Sequence, residues 1–236
     1  MQVLVLNYIL MAVGAYLLGS IPTGFLIARS RGIDIRGVGS GNIGATNVFR
    51  IVGKAAGIFV LLMDVLKGFV ACAFLCPLIF NWLAPHYSDF YQNFRQIPEA
   101  VQIRFQVVAG ISAIVGHNFS CWLKFRGGKG VATSAGVFLA LTPAATAVAL
   151  GVWIVVLALT RYVSVASISA AVALPAATCV FARVLHGGEK TQGDLILQIV
   201  TIAAGLMVII KHRSNIQRLL SGTEKQITFK STEAAK

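Results

Sequence analysis

Apolar residues fall along this chain in long unbroken runs rather than in the alternation of a half-buried strand. The runs cover roughly residues 3–28, 55–84, 104–122, 131–160, 163–185 and 195–210. A bilayer span needs about 20 apolar residues, so each run is long enough, or nearly so, to cross a membrane as a helix. Polar segments rich in glycine and basic residues separate them. Two of these, 29–54 and 116–130, concentrate glycine, amide and cationic side chains. Run 131–160 is interrupted by Thr142-Pro143. It is either one long span or two helices broken at the proline.

Loop charges separate these alternatives. Segment 29–54 carries Arg29, Arg31, Arg36, Arg50 and Lys54 against Asp34. Segment 116–130 carries Lys124, Arg126 and Lys129, Arg161 stands alone, and the tail 211–236 carries six cations against Glu224 and Glu233. With two helices these four segments share one face, at +4, +3, +1 and +4, which accounts for the whole net charge of +12. The opposite loops, around 85–104 and 183–194, are neutral. The positive-inside rule then predicts seven membrane helices with the N-terminus outside and the tail in the cytoplasm. One of them, 131–141, is short at ~1.5 Å per residue, and must be tilted, shielded or re-entrant.

The composition agrees. The chain of 236 residues is 57% hydrophobic and 12% charged, against about a quarter charged in a soluble domain. The expectation is an all-α integral membrane protein forming a single polytopic domain over 1–236. Its basic excess reads as topology rather than as a nucleic-acid footprint, and no nucleic-acid partner is expected. The N-terminus lacks a basic n-region and a small-residue cleavage site, so it reads as a mature first span. The cysteines, Cys72, Cys76, Cys121 and Cys179, read as small apolar residues with no metal-ligand spacing.

Candidate chemistry gathers on the cationic face. The stretch GHNFSCWLKFRGGKG, 116–130, interleaves His117, Lys124, Arg126 and Lys129 with glycines. Glycine admits positive φ and close approach of backbone N–H groups, which together can cradle an anion. Cations beside it suit phosphate. The alternative is a tight turn whose cations serve only topology. The stretch GSGNIGATNVFR contains Ser40, Gly41, Asn42, Thr46, Asn47 and Arg50, and turn chemistry by Asn and Gly accounts for it equally well. His212 and Asn215 lie three apart after the last span and share a helical face, although a solvated basic end facing anionic lipid would look the same. Ser164 is expected as an N-cap. Ser167, three residues deeper, is harder to explain that way. Asp64 and Lys67, three apart within a span, are either a functional pair or a neutralising one.

Walker, nucleophile-elbow and His-x4-Asp acyltransferase patterns are lacking, as are zinc-type His and Cys spacings. No metal or other cofactor is expected. A pocket that gathers anions and stabilises developing charge fits best.

Three segments, GSGNIGATNVFR, GHNFSCWLKFRGGKGVAT and HRSNIQRLLSGTE, resemble in order and spacing the signature motifs of the acyl-phosphate-dependent glycerol-3-phosphate acyltransferases, the PlsY family. The likeness extends to DVLKG at 64–68 and RYVSVASI at 161–168, omitting the loop after residue 84 and the distal tail. It implies a bacterial inner-membrane enzyme with seven helices and a cytoplasmic-face active site. Such an enzyme moves a fatty acyl group from acyl phosphate to the 1-hydroxyl of glycerol 3-phosphate, giving lysophosphatidic acid and phosphate. Its partners are those two substrates and membrane lipid; the residues set no oligomeric state.

The resemblance implies that Ser40, Asn42, Thr46 and Arg50 are first-motif site residues. It further implies that Gly127, Gly128, Lys129 and Gly130 hold phosphate and that Ser167, His212 and Asn215 complete the pocket. Ser40, Arg50, Lys129 and His212 are the expected catalytic group; Gly41, Asn47 and His117 join the binding group. The glycine loop is assigned mainly to the acyl phosphate. The base is open between His212 and the substrate's own phosphate. Asp34 lies outside the motifs and Glu224 in the tail. The rival function is a transporter for an organic phosphate anion, which would explain the broken run and intramembrane charges; it lacks an inverted repeat.

Overall fold

Proline and glycine decide where the apolar runs break. In the computed structural model, which describes residues 2–83, 93–185, 189 and 191–227, the first run is two helices rather than one. Helix α1 (Gln2–Ser20) ends before Pro22, and α2 (Thr23–Arg29) continues beyond it. Pro22 has no N–H to extend the first ladder. Helix α3 (Ala45–Ile51) is short, and α4 (Lys54–Val70) opens the second span. That span passes through a π-turn at Ala71–Leu75 into α5 (Cys76–Leu83). Pro77 follows directly, and a proline inside a helix removes a ladder donor and loosens the turn before it.

Helix α6 (Glu99–Asn118) starts earlier than its apolar run because Pro98 sets its N-cap and Glu99 occupies its first turn, where a carboxylate is favourable. Thr142 breaks the long run as expected, between α7 (Val131–Leu141) and α8 (Pro143–Thr160). Pro143 occupies the first turn of α8, the position that tolerates it. Arg161, at φ 60°, ends α8 in a left-handed cap. Then follow α9 (Val163–Leu185), α10 (Gln192–Lys211) and α11 (Arg213–Leu220). Among the described residues there is no strand. Among them six spans are long and apolar enough to cross a bilayer, and α7 is a short seventh apolar helix. Residues 85–92 of the loop expected at 85–103, and 186–188 and 190 of the one at 186–194, lie outside the described residues.

Small residues set the packing. A Cβ on Gly19 or Gly116 would overlap the backbone of the partner helix in the α1–α6 pair, and one on Gly68 or Gly136 would do so in the α4–α7 pair. Gly205 does the same for α10 against α9. Close backbone approach through small residues is how helices associate where lipid removes the hydrophobic drive. At one end of the bundle Tyr8 stacks on Phe105 at 4.4 Å, with Phe80 and Phe94 packed edge-on nearby. At the other end the polar loops converge. There the C-terminal ends of α1, α6, α8 and α10 meet the N-terminal ends of α4, α7 and α9, so one face of the bundle collects the basic segments.

Candidate active site

A cavity of about 790 Å³ opens among α3, α4, α7, α8, α9, α10 and α11. Its wall changes character along its length. At the loop end it is polar, with Ser40, Asn42, Thr46, Arg50, Lys129, Ser167, His212 and Asn215 in the lining. Toward the membrane core it is apolar, with Val65, Phe138, Ala149, Leu150, Leu174 and Val208. The three cationic motifs, separated by as many as 175 residues, are thereby brought to one place.

The first loop is built around Asn47. Its amide Nδ2 donates to the carbonyls of Ile35, Val38 and Asn42, and its Oδ1 accepts from Ser40 N at 3.0 Å. The side chain is 2% exposed, so although it touches the cavity its polar capacity is spent holding the loop. Gly39 and Gly41 take positive φ of 63° and 68°, and Gly39 lies against Asn47. Gly41 is not in the cavity lining; it turns the chain so that Ser40 and Asn42 are. Farther out, the Arg36 guanidinium grips Asp34 at 2.7 Å and holds its carboxyl down to about 2. Asp34 is therefore an ion-pair partner outside the cavity.

The glycine loop divides its work. Lys129 and Gly130 face the cavity, whereas Gly127 and Gly128 do not. A Cβ on Gly127 would overlap the His117 carbonyl, and one on Gly128 would overlap the His117 ring. Gly130, at φ 79°, packs on Asn118 and caps α7. Lys124 and Phe125 take left-handed φ of 52° and 59°, which is costly for residues with a Cβ. They and Arg126 are exposed, beside Trp122. Aromatic and cationic side chains of this kind suit a membrane interface. Lys211 closes the loop's other side, donating to the Asn118 carbonyl at 3.1 Å and lying 4.0 Å over the Phe119 ring.

The third wall holds a residue that the sequence had left in the tail. After α11 the chain turns back. Ile227 N donates to the Arg161 carbonyl at 2.8 Å, and Arg50 donates to the Lys225 carbonyl at 2.8 Å. This return carries Glu224 into the cavity wall. Its carboxylate accepts from Asn215 Nδ2 at 2.6 Å, Ser164 Oγ at 2.8 Å and Arg218 Nε at 2.7 Å. Burial pushes Glu224 up, and these three donors outweigh it, leaving the acid below its usual range. Ser164 thus spends its hydroxyl on Glu224, a different role from the expected cap. The signal for Glu224 was the Gly222-Thr223-Glu224 end of the third motif, whose carboxylate follows Asn215 by nine residues.

Lys129 Nζ donates to Asn215 Oδ1. Burial lowers the Lys129 ammonium to about 8, with Glu224 opposing and Arg218 and Arg50 assisting the shift. His212, buried, donates from Nδ1 to the Val208 carbonyl at 2.8 Å. A carbonyl only accepts, so the ring's proton lies on Nδ1 and Nε2 is left as an acceptor. Burial, then the Lys129 charge, lowers His212 to about 4. Ser167 accepts from Trp153 Nε1 at 3.3 Å, which leaves its own O–H free to donate. His117 reaches the cavity through α6 and lies beside Asp64, also in the lining. Among the described residues no cluster of His, Cys, Asp and Glu could hold a metal ion.

This arrangement has relatives. Residues 9–222 match the family model described as glycerol-3-phosphate acyltransferase. The chain is 45% identical over 213 residues to a glycerol-3-phosphate acyltransferase of Trichlorobacter lovleyi, covering 90% of this chain and 94% of the relative. It is 44% identical to that of Geotalea daltonii over 216 residues, covering 92% and 95%. Among solved structures it is similar to the integral membrane glycerol 3-phosphate acyltransferase PlsY (YgiH). Against the glycerol 3-phosphate form the TM-score is 0.72 at 34% identity, covering 94% of this chain and 96% of that one. Against the lysophosphatidic acid form it is 0.69 at 33% identity, covering 94% and 95%.

Proposed function

This chain belongs to the glycerol-3-phosphate acyltransferase family, and we propose that it moves a fatty acyl group from acyl phosphate to the 1-hydroxyl of sn-glycerol 3-phosphate. The products are lysophosphatidic acid and inorganic phosphate. One observation carries the reading: a single cavity joins a cationic, hydroxyl-rich end to an apolar groove. An acyl phosphate has that same division, and so does the product. The groove runs along α7, whose N-cap Gly130 ends the glycine loop. The group held at Lys129 and Gly130 is therefore the one at the head of the acyl chain, which is the donor's phosphate.

In the proposed reaction the 1-hydroxyl attacks the acyl carbon, the carbon–oxygen bond to phosphate breaks, and phosphate leaves with the electron pair. Phosphate is a good leaving group, so the work of the site is alignment and charge stabilisation. Lys129 and Arg50 neutralise the departing phosphate. Ser40, Asn42 and Thr46 supply short polar contacts from the opposite wall. His212, with Nε2 as an acceptor and a lowered basicity, orients a glycerol hydroxyl better than it removes a proton. Glu224 has both oxygens engaged. The proton is assigned to the phosphate of glycerol 3-phosphate. With the basic segments inside, the site faces the cytoplasm of a bacterial inner membrane, with the N-terminus outside and the C-terminus within.

Purified protein given palmitoyl phosphate and glycerol 3-phosphate is expected to form lysophosphatidic acid and phosphate in equal amounts. Failure of folded protein to turn over would overturn the reading. Turnover with acyl-CoA or acyl-carrier protein alone would keep the transfer and replace the donor.

A further inference from the structure

Asp64, Lys67 and His117 form a cluster inside the bundle, each no more than 6% exposed. Lys67 Nζ lies 2.8 Å from Asp64 Oδ1, 2.7 Å from His117 Nδ1 and 3.3 Å from the carbonyl of Ile21. An ammonium has three N–H donors and no acceptor. It meets three acceptors, the last of them at the α1–α2 break made by Pro22. Since the ammonium can only donate, His117 Nδ1 must accept, and the neutral ring carries its proton on Nε2. Asp64 Oδ1 is 3.6 Å from the same Nδ1 and completes the triangle.

The ring's other edge meets the glycine loop. Gly128 has no room for a Cβ beside His117 Nε2, and Gly128 N donates to the His117 carbonyl at 2.9 Å. One turn along α4, Gly68 packs on Thr133 in the first turn of α7. The same part of α4 therefore contacts both the ring that backs the loop and the helix that follows the loop.

Resting on the acyl-transfer reading, we propose that Asp64 and Lys67 are positioning residues: they lock the His117 ring in its Nε2–H form, and the ring holds 127–130 so that Lys129 and Gly130 face the donor phosphate. The pairing has a second consequence. Asp64 lines the cavity, where a bare carboxylate would repel phosphate, and Lys67 cancels its charge.

The alternative, a pair that merely neutralises itself so the span can form, gives a different result when both charges are removed together. The test uses full-length Asp64→Asn/Lys67→Met beside the wild type. The double variant is expected to fold, with a thermal midpoint within about 3 °C of wild type. Its KM for palmitoyl phosphate should rise about tenfold or more while kcat changes less than about threefold. Backbone amides of 127–130 should exchange with deuterium about tenfold faster. A folded double variant with wild-type KM and wild-type loop exchange would overturn the proposal. Should the double variant not fold, His117→Asn keeps an acceptor for Lys67 but lacks the edge against Gly128. It should show the raised KM and the faster exchange, and wild-type values in it overturn the proposal equally. Loop exchange needs no turnover, so an inactive wild type would defeat the acyl-transfer reading while the positional claim is still measured.

Discussion

Asn215 donates from Nδ2 to Glu224 at 2.6 Å and accepts at Oδ1 from Lys129. The carboxylate thereby fixes which way the amide points, since a carboxylate only accepts and an ammonium only donates. Glu224→Ala should release Asn215, Ser164 and Arg218 together. Hydrogen bonds to a charged group are each worth about 1.5–3 kcal/mol, and a loss of about 2–4 kcal/mol is expected by chemical or thermal unfolding in detergent. Activity should fall at least about tenfold. Glu224→Gln, which still accepts from Asn215, should recover part of both.

Of the three cations in the glycine loop only Lys129 reaches the cavity. Lys129→Ala should abolish turnover. Lys124→Ala and Arg126→Ala, at exposed positions outside the cavity lining, should cost less than about threefold in kcat/KM, in line with exposed charges that contribute little individually. Initial rates at saturating glycerol 3-phosphate distinguish these outcomes.

Lys129 also sets a pH dependence. Burial lowers its ammonium to about 8, so the charge is present below that pH and is lost as pH rises through it. Inhibition by inorganic phosphate should weaken above about pH 8, in the same range where kcat/KM for the acyl phosphate declines. Lys129→Arg keeps its charge through this range, and whatever activity it retains should lack the decline.

In the proposed mechanism the His212 ring holds a hydroxyl and leaves the proton to the substrate, so His212→Ala should raise the KM for glycerol 3-phosphate more than it lowers kcat. A loss confined to kcat, with removal of an ionisation from the rate profile, would make His212 the base instead.

Much of this was legible in the residues. The seven helices, the break at Pro143 and the meeting of the three motifs follow from run lengths, one proline and the basic loops. The break at Pro22 was less so: residues 3–28 are apolar on both sides of it, and only the structure shows the Ile21 carbonyl there accepting from Lys67 as well as from Thr23 N. Glu224 was read as tail because it lies beyond the last span. What brings it back is a backbone bond between Ile227 and Arg161, a long-range pairing with no local signature. Asn47 shows the reverse. Its motif position reads as a ligand contact, while its three carbonyl partners lie 5, 9 and 12 residues away and make it the frame of the loop. Small residues in the spans serve two ends: Gly19, Gly68 and Gly136 pack helices, whereas Ala149 lines the groove.

The central claim is direct transfer from acyl phosphate to the glycerol hydroxyl within one cavity, without an acyl-enzyme. Rapid-quench measurement of phosphate release from palmitoyl phosphate tests it most directly. Without glycerol 3-phosphate, no burst of phosphate should appear and the protein's mass should be unchanged. With glycerol 3-phosphate, phosphate and lysophosphatidic acid should form together and in equal amounts. A stoichiometric burst of phosphate before acceptor is added, with a palmitoyl group attached to the protein, would contradict the account.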